Sequence, residues 1–156
     1  MYDKRKRRGL YKRIRGILMD NIIKMTFLSK RCNIAAIRNM LGALIVENNP
    51  TITFINELKT VVSEAVTNAI VHGYDNRENE YVDLDIEITA EKIIIDIIDN
   101  GKGIEDIEKA KEPLYSSKAD EERSGLGFTI MELFSDKLEI ESKVNQGTKL
   151  HIEKNW

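Results

Sequence analysis

An isoleucine-rich run that stops at an aspartate constrains this chain most. Residues 93–98 read Ile-Ile-Ile-Asp-Ile-Ile, and Asp99-Asn100-Gly101-Lys102-Gly103 follows at once. A run this short and this apolar predicts a strand at the centre of a sheet, buried on both faces. In the stretch before it, Val82, Leu84, Ile86 and Ile88 alternate with Asp83, Asp85 and Glu87. That pattern predicts a neighbouring strand with one solvated face. Asp99 shares the parity of Ile93, Ile95 and Ile97, so its carboxylate points where three isoleucines point. A carboxylate in that position needs a partner, because burying it alone is costly.

Glycine lets a backbone approach a ligand closely. Gly101 and Gly103 follow the aspartate, and a second pair, Gly125 and Gly127, stands in Ser124-Gly125-Leu126-Gly127-Phe128. The second pair opens a predicted helix at about 126–134, and a helix N-terminus offers free N–H groups to phosphate. Together the two stretches predict a nucleotide site, with an adenine end at Asp99 and a phosphate end at Gly125 and Gly127. Either glycine pattern alone is weak.

The length of 156 residues fits one domain. The chain holds 24 basic and 26 acidic side chains. Eight of the basic ones and a single acid, Asp3, fall within residues 1–18, leaving 16 basic against 25 acidic in the remainder. An acidic body argues against nucleic acid as a direct partner, since a phosphate backbone needs a basic surface. The single cysteine, Cys32, cannot form an internal disulfide, which fits a cytoplasmic protein. No apolar run approaches a membrane span. The composition predicts a basic leader over 1–18, disordered or upstream of a natural start at Met19, and one folded domain over 19–156.

Ile23, Met25 and Phe27 alternate as a short first strand. Residues 33–47 repeat apolar side chains at helical spacing, and Asn48-Asn49-Pro50 ends the pattern. A second helix is predicted from about Thr53 to His72, with Gly73 as its C-cap. Residues 104–124 are charged and aperiodic, which predicts a functional lid. Leu138 to Ile152 reads as a hairpin around Asn145-Gln146-Gly147.

The second helix carries Glu64, Asn68 and His72 at i, i+4 and i+8, which stacks them on one face beside the apolar stripe. Asparagine is a poor helix former in mid-helix, so Asn68 invites a reason. Its amide oxygen can ligate Mg²⁺, whose other positions go to phosphates and water. Glu64, one turn away, can act as a general base. A solvated helix edge is the plain alternative.

The order SEAVTNAIVHG, DNGKG, a long lid, SGLGF, then Gly147-Thr148 resembles the ATP-binding fold of gyrase B, Hsp90, sensor histidine kinases and MutL. Within that group, LKTVVSEAVTNAIVHGY, PLYSSK, ERSGLGFTIME and QGTKL are similar to the anti-sigma F factors of spore-forming bacteria, over about residues 20–153. The resemblance implies a two-layer α/β sandwich: a mixed, mostly antiparallel sheet with helices on one face and an ATP lid. It implies a serine-protein kinase that sequesters a sporulation sigma factor and phosphorylates an anti-anti-sigma protein. The implied cofactors are ATP and Mg²⁺, and the implied assembly is a homodimer through the first strand and helix.

The resemblance also implies residue roles. Glu64 would be the catalytic base and Asn68 the Mg²⁺ ligand. Asp99 would accept the adenine amino group, with Gly101 and Gly103 passing close to the nucleotide. Gly125 and Gly127 would bind phosphate, with Lys118 and Arg123 as further contacts to the γ-phosphate. Thr148 would lie on the adenine side, and its parity with Leu150 and Ile152 turns its hydroxyl inward, where it needs a partner. Arg38, exposed on the first helix, would meet protein partners. Two alternatives stay open. A histidine-kinase catalytic part would need its acceptor on another protein, because only His72 and His151 are present. A non-catalytic, ATP-switched binding module would leave Glu64 without a task.

Overall fold

The computed structural model describes residues 21–113 and 125–156. The elements run β1 (Asn21–Leu28), α1 (Cys32–Leu44), α2 (Ile52–Thr67), β2 (Tyr81–Ile88), β3 (Lys92–Asp99), α3 (Ile107–Lys111), α4 (Gly127–Phe134), β4 (Lys137–Lys143) and β5 (Gly147–Asn155). The strands form one sheet in the order β1-β2-β3-β5-β4. The two-layer sandwich is as expected, and each of these four pairings is antiparallel. Among the described residues no helix is long and apolar enough to cross a membrane. The leader over 1–18 lies outside the described residues.

The alternation read from β2 and β3 becomes the core. Leu84, Ile86, Ile95 and Ile97 are at most 1% exposed, facing Leu41, Leu58, Val62 and Val66 of the helices. Each such side chain contributes roughly 1.5–3 kcal/mol by leaving water. β3 is central, but only its inner face is fully buried. Ile94 and Ile98 on the outer face are half-buried, because none of the described helices lies there. Their cross-strand partners Glu153 and Lys149 cover them instead, as charged side chains lay their stems over apolar surface.

The Thr51 hydroxyl caps α2 by accepting the Phe54 amide at 3.1 Å, so the helix starts at Ile52, just after Pro50. Its far end does not stop at a C-cap. From Asn68 to Gly73 it widens into a π-helix, with the Tyr74 amide bonded to the Ala69 carbonyl at 3.0 Å. π turns are uncommon and recur at functional sites. In the 104–124 segment, Asp106 caps the short α3 by accepting the Lys109 amide at 3.0 Å. Residues 114–124 lie outside the described residues. The end of α4 is pinned by Lys154, which donates to the Phe134 carbonyl at 2.7 Å and to Glu57 on α2 at 2.8 Å. The start of α4 lies against the C-terminal end of α2, at Glu64 and Asn68.

Candidate functional site

The α2–π helix, the sheet end and the start of α4 enclose a cleft of about 1300 Å³. Glu64, Asn68, His72, Asp99, Gly103, Gly125, Gly127 and Thr148 all line it. Gly101 lies just behind, buried against Gly73. Arg38 is exposed on α1, away from the cleft lining. Lys118 and Arg123 lie outside the described residues.

At one end Asp99 is 5% exposed. Burial pushes its carboxyl up to about 6, against the backbone amides of Gly101 and Thr148, which favour the ionised form. The Gly101 amide donates to its Oδ1 at 2.9 Å. Three glycines make room for this arrangement. A methyl on Gly73 would stand 2.7 Å from the Asp99 Oδ1, and one on Gly101 would stand 2.2 Å from the Gly73 carbonyl oxygen. Gly147, at φ +89°, would place a methyl 1.9 Å from the Asp99 carbonyl oxygen. Gly101→Ala should therefore lower stability by about 1–3 kcal/mol, since backbone must move to admit the methyl. Urea unfolding checks this, and an unchanged midpoint would mean that the loop yields freely.

Asp99 pairs across the sheet with Thr148, and Thr148 with Ser142. This polar row closes the inner face where the apolar rows end. The Thr148 hydroxyl points inward and finds the Ser142 hydroxyl at 2.8 Å, so the partner its parity demanded is present.

At the other end Gly127 opens α4 against α2. A methyl there would lie 3.1 Å from the Glu64 Oε2 and 3.5 Å from the Asn68 Oδ1. The space of one missing side chain thus separates a helix N-terminus from a carboxylate and an amide oxygen. Gly125 precedes it at φ +62°, a conformation that favours glycine. Among the described residues no three His, Cys, Asp or Glu side chains converge as a metal site. A divalent cation bound here would therefore use the Asn68 oxygen together with phosphate and water.

Two contributors escaped the sequence reading. Gly73 was expected as a C-cap, but the helix widens and carries it onto Asp99. Ser142 was legible in principle, since a hairpin turning at 145–147 sets it opposite Thr148.

Residues 27–154 match the family described as histidine kinase-like ATPase domain. The chain is 49% identical over 139 residues to the anti-sigma F factor of Clostridium beijerinckii, spanning 89% of this chain and 97% of that one. It is 48% identical over 136 residues to the anti-sigma F factor of Clostridium perfringens strain SM101, spanning 87% and 97%. The catalytic domain of the histidine kinase ThkA superposes with a TM-score of 0.53 at 20% identity, over 85% of this chain and 97% of that one. That likeness speaks for the fold alone. At the identity and coverage of its clostridial relatives, the chain belongs to the anti-sigma F factor family, within the histidine kinase-like ATPases.

Proposed function

We propose that this chain binds Mg-ATP, phosphorylates an anti-anti-sigma protein on serine, and in its other partnership holds a sporulation sigma factor inactive. The observation that carries the reading is the two-ended cleft. One end has a buried hydrogen-bond acceptor at Asp99. The other has a carboxylate, an amide oxygen and a glycine-led helix start at Glu64, Asn68 and Gly127.

Asp99 accepts the amino group of adenine, and Gly73 and Gly101 let the base lie close to it. Asn68 would hold Mg²⁺ through its Oδ1. When bound, the ion neutralises phosphate charge. The backbone amides of the Gly125–Gly127 stretch face the phosphates at the N-terminus of α4. Glu64 accepts the proton of the incoming serine hydroxyl. Relatives named anti-sigma F factor support the sigma partner. Incubation with radiolabelled ATP and the anti-anti-sigma protein tests the whole reading. Phosphoserine is expected. Phosphohistidine, or no label, would overturn it.

The protein-facing surface is assigned to α1, where Arg38 is exposed between the core positions Ile37 and Leu41. Its planar guanidinium can take a partner carboxylate through two hydrogen bonds. Arg38→Ala should weaken sigma-factor or anti-anti-sigma binding about thirtyfold, the loss of roughly 2 kcal/mol, with ATP affinity unchanged. Surface plasmon resonance against both partners checks this, and wild-type binding to both would move the docking face elsewhere. The edge strand β1 and α1 are proposed as the homodimer contact.

A further inference from the structure

We infer that Ser142 is a positioning residue that fixes which way the Thr148 hydroxyl bonds, and so selects a 6-amino purine over a 6-oxo purine. The inference rests on the nucleotide reading above and adds a residue to it.

The Ser142 hydroxyl has three polar neighbours. The Ile104 amide donates to it at 2.8 Å. The Gly147 carbonyl oxygen lies at 3.0 Å, and the Thr148 hydroxyl at 2.8 Å. A serine hydroxyl has one proton and two lone pairs. The Ile104 N–H can only donate, so it takes one lone pair. The Gly147 carbonyl can only accept, so it takes the proton. The second lone pair is then left for the Thr148 hydroxyl, which must donate to Ser142. With all three bonds made, Thr148 has spent its proton. Toward the cleft it can only accept.

Its cross-strand neighbour Asp99 is also an acceptor when ionised. Thr148 and Asp99 therefore present two adjacent acceptors at the base end of the cleft. An exocyclic amine carries two N–H donors and suits that pair. A carbonyl oxygen in the same place meets two acceptors and stays unsatisfied while buried, which is the costly outcome. Without Ser142, the Thr148 hydroxyl is free to rotate and donate into the cleft, and a 6-oxo group gains a partner. The same hydroxyl ties Ile104, at the start of the 104–124 segment, to the base end of the site. Loss of that tether alone would weaken every nucleotide alike. Only the ratio between two bases reports the orientation of Thr148.

The test is calorimetric titration of the full chain with Mg-ATP and with Mg-ITP, in which the 6-amine becomes a 6-oxo group and N1 gains a proton. That N1 change is the same for wild type and variants, so the change in ratio between them reports the Thr148 hydroxyl. Wild type should prefer ATP. In Ser142→Ala the preference should shrink by about tenfold, the worth of one hydrogen bond gained by one ligand and not the other. Ser142→Thr keeps the hydroxyl and should restore the wild-type ratio. Ser142→Cys is near-isosteric with a weak donor and should side with alanine; it carries the test if the alanine variant does not fold. An unchanged ratio in the alanine and cysteine variants, or equal loss for both nucleotides, would overturn the inference. So would a threonine variant that behaves like alanine. Wild type that binds neither nucleotide, or does not prefer ATP, would instead overturn the nucleotide reading on which the inference stands.

Discussion

Replacing Glu64 with alanine should lower phosphoryl transfer to the serine partner by about 10²- to 10⁴-fold, the usual worth of a positioned general base. ATP affinity should stay within a few-fold of wild type, because Glu64 stands at the opposite end of the cleft from Asp99. The packing at Gly127 complicates the alanine variant. The Glu64 Oε2 fills the space that a methyl on Gly127 would approach to 3.1 Å, so alanine opens a hole there as well as removing a base. Glu64→Gln keeps the shape and hydrogen-bonding reach but cannot take a proton. Both variants should lose transfer to a similar degree in a single-turnover assay. A glutamine variant that kept the wild-type rate would reduce Glu64 to a packing role.

The second large effect is expected at Asp99, in opposite directions for binding and for stability. Its folded-state value of about 6 lies above the ordinary 3.8. A raised carboxyl binds its proton more tightly in the folded state than in the unfolded one. Stability from this group is therefore greatest at low pH and is lost as pH climbs from about 4 to about 6. At pH 7.5 the ionised carboxylate costs the nucleotide-free fold up to about 3 kcal/mol. Asp99→Asn removes that charge while its amide oxygen can still accept from the Gly101 N–H. The variant should melt higher than wild type at pH 7.5, and the difference should vanish near pH 4. Its ATP affinity should fall by about 10- to 100-fold, as a charge-assisted bond to the adenine amine is lost. Wild-type ATP affinity should also drop as pH is lowered through 6, while the variant's stays flat. Thermal melts and titrations across that pH range decide the matter. A variant with lower stability and unaltered ATP binding would make Asp99 a turn residue and nothing more.

The expectation of that effect began in the sequence, where Asp99 sits in phase with three isoleucines. Period-two patterns were enough to find the sheet, because β2 and β3 each bury one strict set of alternate side chains. The same reading misjudged the outer face of β3. Continuous isoleucine looks alike whether a helix or a neighbouring strand's charged stems cover it. Glu64 and Asn68 were recognisable as one helix face because α2 keeps ordinary α geometry as far as Thr67. Gly73 was not, since nothing in local spacing announces a change of helical pitch. The short α3 was missed for a similar reason. Five residues give too few turns for periodicity to register, and only the cap at Asp106 marks it. Ser142 and Thr148 depended on the hairpin register. Once Asn145 and Gly147 adopt positive φ, the pairing of the two hydroxyls follows.

The change of pitch at Asn68 gives one continuous helix two separate settings. From Glu64 to Asn68 it sets the end of the cleft that faces Gly127, in ordinary α turns. From Asn68 to Gly73 it widens to roughly one more residue per turn and brings the backbone of Gly73 against Asp99 at the other end. The distance and the twist between the two ends of the cleft are thus written into a single stretch of chain rather than into the meeting of two elements. Such a gauge cannot be adjusted by a small hinge elsewhere in the fold. Deleting one residue between Asn68 and Gly73 would let the helix relax into regular α turns. The fold would keep its layers, but its two half-sites would no longer measure the same molecule.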